Sequence, residues 1–257
     1  MSRSLGCQWT PRLFFPELNL NPYLMNISDI KALLANDDPQ VRMRGLVALK
    51  DYDQEAAVPV LVEHWQDEAF LVRSFVAMGL GRKRNEQAYS VLLEMLSVES
   101  DNNVQAEIAN SLGLYGAVSG ERLVRLFYDN ENWLVRRSIL AIMPEMDYSD
   151  GLLTVATAAL QDKDLTIVHA GIATLGALAG TTQAQTALDA LLPYLTAEDW
   201  RSRLYLAYAL KPFLSDHASA TAEQLAQKEA ASEALSQLRQ DSHHKVVAAT
   251  LEGLLPS

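Results

Sequence analysis

The chain has 257 residues, 49% of them apolar and 21% charged, an ordinary soluble balance that argues against wholesale disorder. Its 21 basic and 32 acidic residues leave a net charge of -11, which speaks against a nucleic-acid partner, because binding a phosphate backbone needs clustered lysine and arginine. No segment reaches the roughly 18 uninterrupted apolar residues of a membrane span, and the single cysteine, Cys7, excludes an internal disulfide.

The chain opens with an arm, residues 1–26. Arg3, Pro11, Arg12 and Pro16 break up the apolar run that a secretory signal would need, so a cytoplasmic protein is expected. Trp9, Phe14, Phe15 and Tyr23 lie among Pro11, Pro16 and Pro22, which is too aromatic for a simple solvated tail. The arm is read as an irregular strap over the first helices, with a docking arm for a partner as the alternative.

Residues 27–257 read as a single domain built from a repeat. An acidic or amide residue, two further residues, Val-Arg or a variant, and Leu at the eighth place after Val recur along the chain. The anchors are Val41, Val72, Val104, Val135, Ile167, Ser202 and, loosely, Val246, at spacings of 31, 32, 31, 32, 35 and 44 residues. Each unit has room for two helices and two short turns. The first helix of a unit is legible in AAVPVLVEHW, AYSVLLEMLS and LLTVATAALQ. The second opens on Asp38, Asp101, Asn132, Asp164 or Asp199, three places before the anchor, where a side-chain oxygen can accept an unpaired amide hydrogen. Pro39 suits the first helical position, where no donor is missed, and Gly81, Gly113 and Gly176 are expected to close helices in the left-handed conformation. The wide last spacing predicts a short linker and an extended, water-facing first helix between His217 and Arg239, as befits a capping unit. About fourteen helices result, and no strand is expected.

At 100° per residue the apolar places 0, 4, 5, 7 and 8 after each anchor form a broad stripe over about half the second helix. One hairpin cannot bury it alone, whereas stacked hairpins can, which predicts an all-α solenoid of about seven units in which each touches mainly its neighbours. The arginine after the anchor, at Arg42, Arg73, Arg136 and Arg203, lies at the edge of the stripe and is read as a structural ladder to carboxylates or carbonyls at the turns.

The D-x-x-V-R unit resembles the short HEAT-like repeat of the phycobilisome lyase type, over residues 27 to 255. ENWLVRRSILAIM, NNVQAEIANSLGLYG and EDWRSRLYLAYALKPF in particular are similar to segments of the cyanobacterial phycobilin lyase subunit and phycobilisome-degradation family. The resemblance implies a right-handed α-α superhelix of HEAT-like hairpins. It also implies a role among chromophore lyases, phycobilisome-degradation factors or scaffolds for iron-sulfur assembly. The first unit, VRMRGLVALKDY, lacks the aromatic-rich second helix of the E-type lyase subunit, which turns the reading away from chromophore transfer. Deoxyhypusine hydroxylase, an enzyme on similar repeats, needs paired His-Glu motifs, and no His-Glu dipeptide occurs here. The alkylpurine glycosylases on related repeats need a basic groove, against which the net charge argues.

The outward places of the second helices, 2, 3 and 6 after the anchor, are similar in position to the concave lining of HEAT-like solenoids. They hold Met43, Arg44 and Val47, then Ser74, Phe75 and Met78, then Glu107 and Asn110, then Arg137 and Ser138, then His169, and finally Leu204, Tyr205 and Tyr208. Apolar or aromatic patches at both ends with polar groups between suit a protein segment better than a small polar metabolite. The alternative is that these residues pack against the next unit. His169 is read as a solvated surface histidine unless it titrates functionally. Phe70, Trp133 and Trp200, two places before their anchors, are read as packing staples at the turn. His64, His169, His217, His243 and His244 lack the convergence of a zinc site, and no phosphate loop or G-x-S-x-G element is present. The expectation is a non-catalytic adaptor, without a metal or cofactor, that binds a protein client such as a phycobiliprotein or a cofactor-assembly protein. The alternative is a lyase-type subunit that holds a bilin as well as a phycobiliprotein.

Overall fold

The computed structural model describes residues 25–215 and 221–252. The arm aromatics Trp9, Phe14, Phe15 and Tyr23, and His217 in the expected linker, lie outside those residues. The predicted caps form as expected. Asp38, Asp101, Asn132, Asp164 and Asp199 each accept a backbone N–H from the first turn of the helix that follows them. Proline at the first position of its helix follows Asp38. The long helix of the last unit starts on a reciprocal capping box between Thr221 and Gln224.

The described residues contain fourteen α-helices and no strand. The first helices of the seven units are α1 (Ile27–Leu34), α3 (Gln54–Val62), α5 (Glu86–Val98), α7 (Gly120–Asp129), α9 (Ser149–Ala159), α11 (Ala184–Leu191) and α13 (Ala222–Leu238). The second helices are α2 (Pro39–Ala48), α4 (Phe70–Lys83), α6 (Asn102–Gly113), α8 (Trp133–Ile142), α10 (Leu165–Leu175), α12 (Trp200–Leu210) and α14 (His244–Leu251). The even-numbered helices stack on one another in chain order from α2 to α14, and the odd-numbered helices form a second layer against them. The molecule is a solenoid.

The buried stripe follows the predicted register. Val72, Val76, Ala77 and Leu80 are fully buried, as are Val104, Ile108, Ala109 and Leu112 in the next unit. Val135, Ile139, Leu140 and Met143 repeat the pattern in α8 and the short 3-10 turn after it. Each fully buried aliphatic side chain of this kind contributes about 1.5–3 kcal/mol relative to exposure, so the stacking supplies what an isolated hairpin lacks. In the first described unit Val41 is only partly buried; among the described residues no earlier even-numbered helix covers it.

The glycines take a role the sequence does not announce. Gly81, Gly113 and Gly176 do not have positive φ; among the described glycines that conformation belongs to Gly116 and Gly180. The expectation of left-handed closure is therefore corrected to one of close packing. A Cβ on Gly81 would come within 2.6 Å of Ser111, one on Gly113 within 2.1 Å of Ile142, and one on Gly176 within 2.7 Å of the Ala209 carbonyl oxygen. All three glycines stand nine places after their anchors, and all three neighbours stand seven places after the next anchor. The missing side chain lets adjacent even-numbered helices approach at one repeated point.

The arginine ladder forms, and it joins each unit to the next. Arg42 Nη2 donates to Asp67 at 2.8 Å; its Nε lies 2.7 Å from the same carboxylate, although that N–H is not well aimed. Arg73 makes a two-pronged pair with Glu99 at 2.6 and 3.0 Å, and Arg203 does the same with Asp241. Arg136 Nη1 reaches Asp162 at 2.6 Å. The same guanidiniums also donate to backbone carbonyls of the turn in their own unit, such as Asn36 and Asp37 for Arg42 or Ala197 and Glu198 for Arg203. The partner carboxylates all stand five places before their anchors, and each also accepts the N–H of the residue two places on.

Where the arginine is replaced, its partner changes too. In unit three the rung is an amide pair: Asn130 donates to Gln105 at 2.5 Å. In unit five Val168 stands at the arginine position and Ala197 at the carboxylate position, and the polar link shifts by one residue to His169 and by two to Asp199, 2.8 Å apart.

Candidate functional site

The even-numbered layer packs more tightly than the odd-numbered one. In the odd-numbered layer α5 and α7 leave a cleft of about 520 Å³, lined by Leu93, Leu96 and Leu126 with Arg122 and Arg125 on one wall and the Gln105–Asn130 rung beside them. The cleft coincides with the one rung in which a glutamine replaces the longer arginine. Nothing in the sequence reading pointed to it.

The row expected to line the inner face comprises the places 2, 3 and 6 after each anchor on the even-numbered helices. On α2 Met43 is half-buried, while Arg44 and Val47 are exposed. Phe75 and Met78 on α4 are half-buried with one side of each in water, and Ser74 is likewise part-exposed. Glu107 and Asn110 follow on α6, both half-buried. On α8 Arg137 is exposed and Ser138 half-buried. Tyr205 and Tyr208 on α12 are 36% and 38% exposed. Lys211 Nζ sits 4.9 Å from the centre of the Tyr208 ring, and burial holds the Tyr208 hydroxyl above its ordinary ionisation range, with Glu252 adding to that. Between the two ends, Ser138 and Ala141 on α8 and Ala170 and Ala173 on α10 leave a floor of small side chains. The sequence contained this floor at the register positions already in use, but small residues there carry no apolar or charged signal.

His169 does not belong to the exposed row. It is 8% exposed, bonds Asp199 through Nε2, and stacks on Tyr205 with ring centres 5.0 Å apart and planes 18° from parallel. The reading as a solvated histidine is corrected: it sits one place past the arginine position, between α10 and α12, and replaces the missing rung. Burial pushes the Asp199 carboxyl up, but hydrogen bonds from His169 and from the backbone of Arg201 and Ser202 outweigh this and hold it below the usual carboxylate range.

The turn aromatics divide. Trp200 stacks on His243 of the next unit at 3.9 Å, with Arg201 and Lys245 over its ring, so it acts as a staple between units. Trp133 and Phe70 remain 46% and 39% exposed, which corrects the same expectation for them. A bulky residue at this turn packs only where the next turn offers a flat partner, and His243 does so for Trp200 alone among the three.

Glu107 is the group on the inner face whose ionisation the fold disturbs most. Burial raises its carboxyl to about 7, against the opposing pull of Arg82 and a hydrogen bond with Asn110. Among the described residues no Lys, Arg or His pairs with it within 4 Å. The described residues include no group of three or more His, Cys, Asp or Glu able to hold a metal ion, and no helix among them is long and apolar enough to cross a membrane.

A family model of HEAT repeats matches residues 27–113 and, overlapping, 67–144. No curated protein sequence matches the chain. Among solved structures, the complex of CpcE and CpcF of phycocyanin lyase from Nostoc sp. PCC7120 aligns with a TM-score of 0.53 at 18% identity, over 94% of this chain and 98% of that one. An engineered protein aligns with a TM-score of 0.55 at 19% identity, over 88% of this chain and 67% of that one. At such identities the likeness is one of fold. With the seven stacked hairpins and the ladder between them, it leads to one conclusion: residues 27–144 match HEAT repeats, and the chain is a solenoid of helical hairpins similar in fold to the phycocyanin lyase complex.

Proposed function

We propose that the chain is a non-catalytic scaffold whose inner face holds a segment of a protein client, in phycobilisome turnover or cofactor assembly. The observation that carries this reading is the division of labour between edge and face. The arginine rungs and the glycine contacts join the units without using Phe75, Met78 or Tyr208, and Tyr205 gives only one face of its ring to His169, which leaves all four side chains with apolar surface in water. A few exposed aromatic and methionine anchors around a floor of small residues suit an extended or helical peptide. The test is capture of clients from a cyanobacterial extract by the wild type and by Phe75→Glu with Tyr208→Glu, each identified by mass spectrometry. Loss of the same proteins from the double variant, with helical content and melting unchanged, supports the reading. Full capture by the double variant moves the contact surface elsewhere, for example to the arm at residues 1–26.

A second reading draws on the likeness to the phycocyanin lyase complex: the aromatic inner face shelters a bilin and presents it to a phycobiliprotein. Mixing the purified chain with phycocyanobilin distinguishes the two. A protein-dependent shift of the visible band favours the bilin reading, and an unchanged spectrum favours the scaffold.

A further inference from the structure

Of the ten side chains at places 3 and 6 on the even-numbered helices from α4 to α12, Glu107 is the only charged one; the face's exposed arginines are Arg137, at place 2 on α8, and Arg44 on α2. Elsewhere the half-withdrawn carboxylates have partners: Asp67, Glu99, Asp162 and Asp241 each receive an arginine from the preceding unit, Asp199 receives His169, and Asp101 and Asp164 cap helices. Glu107 receives only Asn110, one turn along its own helix, and the distant pull of Arg82. Its neighbours in the row are Phe75 and Met78 on α4 and the small Ser138 and Ala141 on α8, so one side of it is apolar and the other is open. A carboxylate held partly out of water without a cation is costly to the fold, and the ladder shows that this fold readily places cations where they are wanted.

We propose that the inner face takes a basic amphipathic helix, one lysine or arginine of which seats on Glu107 while its apolar residues lie on Phe75 and Met78 at one end and on Tyr205 and Tyr208 at the other. The inference rests on the protein-binding reading above and names the chemistry of the client. Charge complementarity favours this occupant at Glu107, and the overall charge of -11 is opposite in sign to it; Arg137 on α8 and Lys211 beside Tyr208 confine the client's cation to that seat. The spacing fixes a pattern. Packed helices lie about 8–10 Å apart, and a client helix rises about 1.5 Å per residue, so an apolar anchor over α4 falls about six or seven residues from the cation. The tyrosines lie about three helix spacings beyond α6, which sets the client at about 25 residues in all. Above the small residues of α8 and α10 the client has room for bulky side chains.

Protonation competes with this seat. The carboxyl is raised to about 7 by burial, opposed by Arg82 from α4 and by Asn110 from its own helix. A bound cation favours the ionised form, so capture tightens as the pH rises from 6 to 8.

The test is selection of 25-residue amphipathic helices with randomised charged positions against the full chain at pH 8. The enriched peptides are then titrated against the wild type, Glu107→Gln, and Phe75→Glu with Tyr208→Glu. The expected peptides carry lysine or arginine six or seven places from an apolar anchor, bind Glu107→Gln at least tenfold more weakly, and lose their pH dependence with it. In the free chain the Glu107 side-chain carbon is expected to titrate near 7 by NMR, and below that with peptide bound. Peptides that bind Glu107→Gln as tightly as the wild type but fail on the aromatic double variant overturn the cation seat alone. Peptides indifferent to both overturn the inner-face reading as well.

Discussion

Along the turn edge, Arg42, Arg73, Arg136 and Arg203 each hold a carboxylate of the following unit and two carbonyls of their own turn or close to it. On the inner face, Glu107 of α6 has no such partner among the described residues, and Phe75, Met78, Tyr205 and Tyr208 keep apolar surface in water. The two regions share a repeat, a spacing and a set of helices, and they differ in whether polar and apolar groups are satisfied inside the chain. Where the molecule completes every contact, a side chain serves the fold. Where it leaves groups unsatisfied in a row, the completion comes from outside.

Variants that confuse the two regions break this comparison most directly. The largest loss of stability is expected from Arg42→Ala, because it strands Asp67 and the turn carbonyls with little access to water: about 3–5 kcal/mol, read as a drop in thermal or urea midpoint. If Arg42→Ala melts like the wild type and instead abolishes client capture, the ladder is a binding surface. Glu107→Gln is expected to act with the opposite sign. Its folded carboxyl is raised, so the ionised form opposes folding; that cost grows as the pH rises above the ordinary carboxylate value and is complete above about 7. At pH 8 the glutamine variant should gain on the order of 2 kcal/mol, and at pH 4 almost nothing. Equal gains at both values would mean the carboxyl is not held out of water.

Gly176→Ala tests the close approach of α10 and α12. The new methyl meets the Ala209 backbone, which cannot rotate away, and about 1–3 kcal/mol of destabilisation is expected by denaturant titration. A neutral or stabilising alanine would show that the glycine serves some other purpose. The smallest effect belongs to Phe75→Glu with Tyr208→Glu, expected within about 0.5 kcal/mol of the wild type in stability because neither side chain is fully buried. Acid sharpens the ladder side of the comparison. The carboxyls of Glu99, Asp199 and Asp241 are held below their ordinary range, the first two against burial and the third chiefly by Arg203. The stability they contribute is present above the unfolded carboxylate value and is lost as the pH falls through their lower folded values. An acid midpoint raised by Arg203→Lys, which cannot form the two-pronged pair, would be the signature.

Much of the fold could be read because a solenoid repeats its local chemistry. The caps at Asp38, Asp101, Asn132, Asp164 and Asp199 and the buried places after Val72, Val104 and Val135 all follow from residues within one unit. The positions of Phe75, Glu107, Tyr205 and Tyr208 on one face were legible for the same reason. His169 was not, since its withdrawal from water depends on Asp199 and Tyr205 in the next unit and on the loss of the arginine that Val168 replaces. The matched rungs of Gln105 with Asn130 and of Val168 with Ala197 could have been found by aligning the units five places before the anchor. Their meaning still required knowing that the partner lies one unit on.

The sequence by itself determined the helices, their caps, the period and the side of each helix that is buried, because these depend on backbone hydrogen bonds and apolar spacing within about thirty residues. Only the tertiary structure decided which glycines touch the next helix, which turn aromatics find a partner, and which carboxylates receive a cation. Those outcomes depend on distances between units, and the closeness of two helices, like the ionisation of a half-buried acid, is a property of the stack rather than of any segment in it.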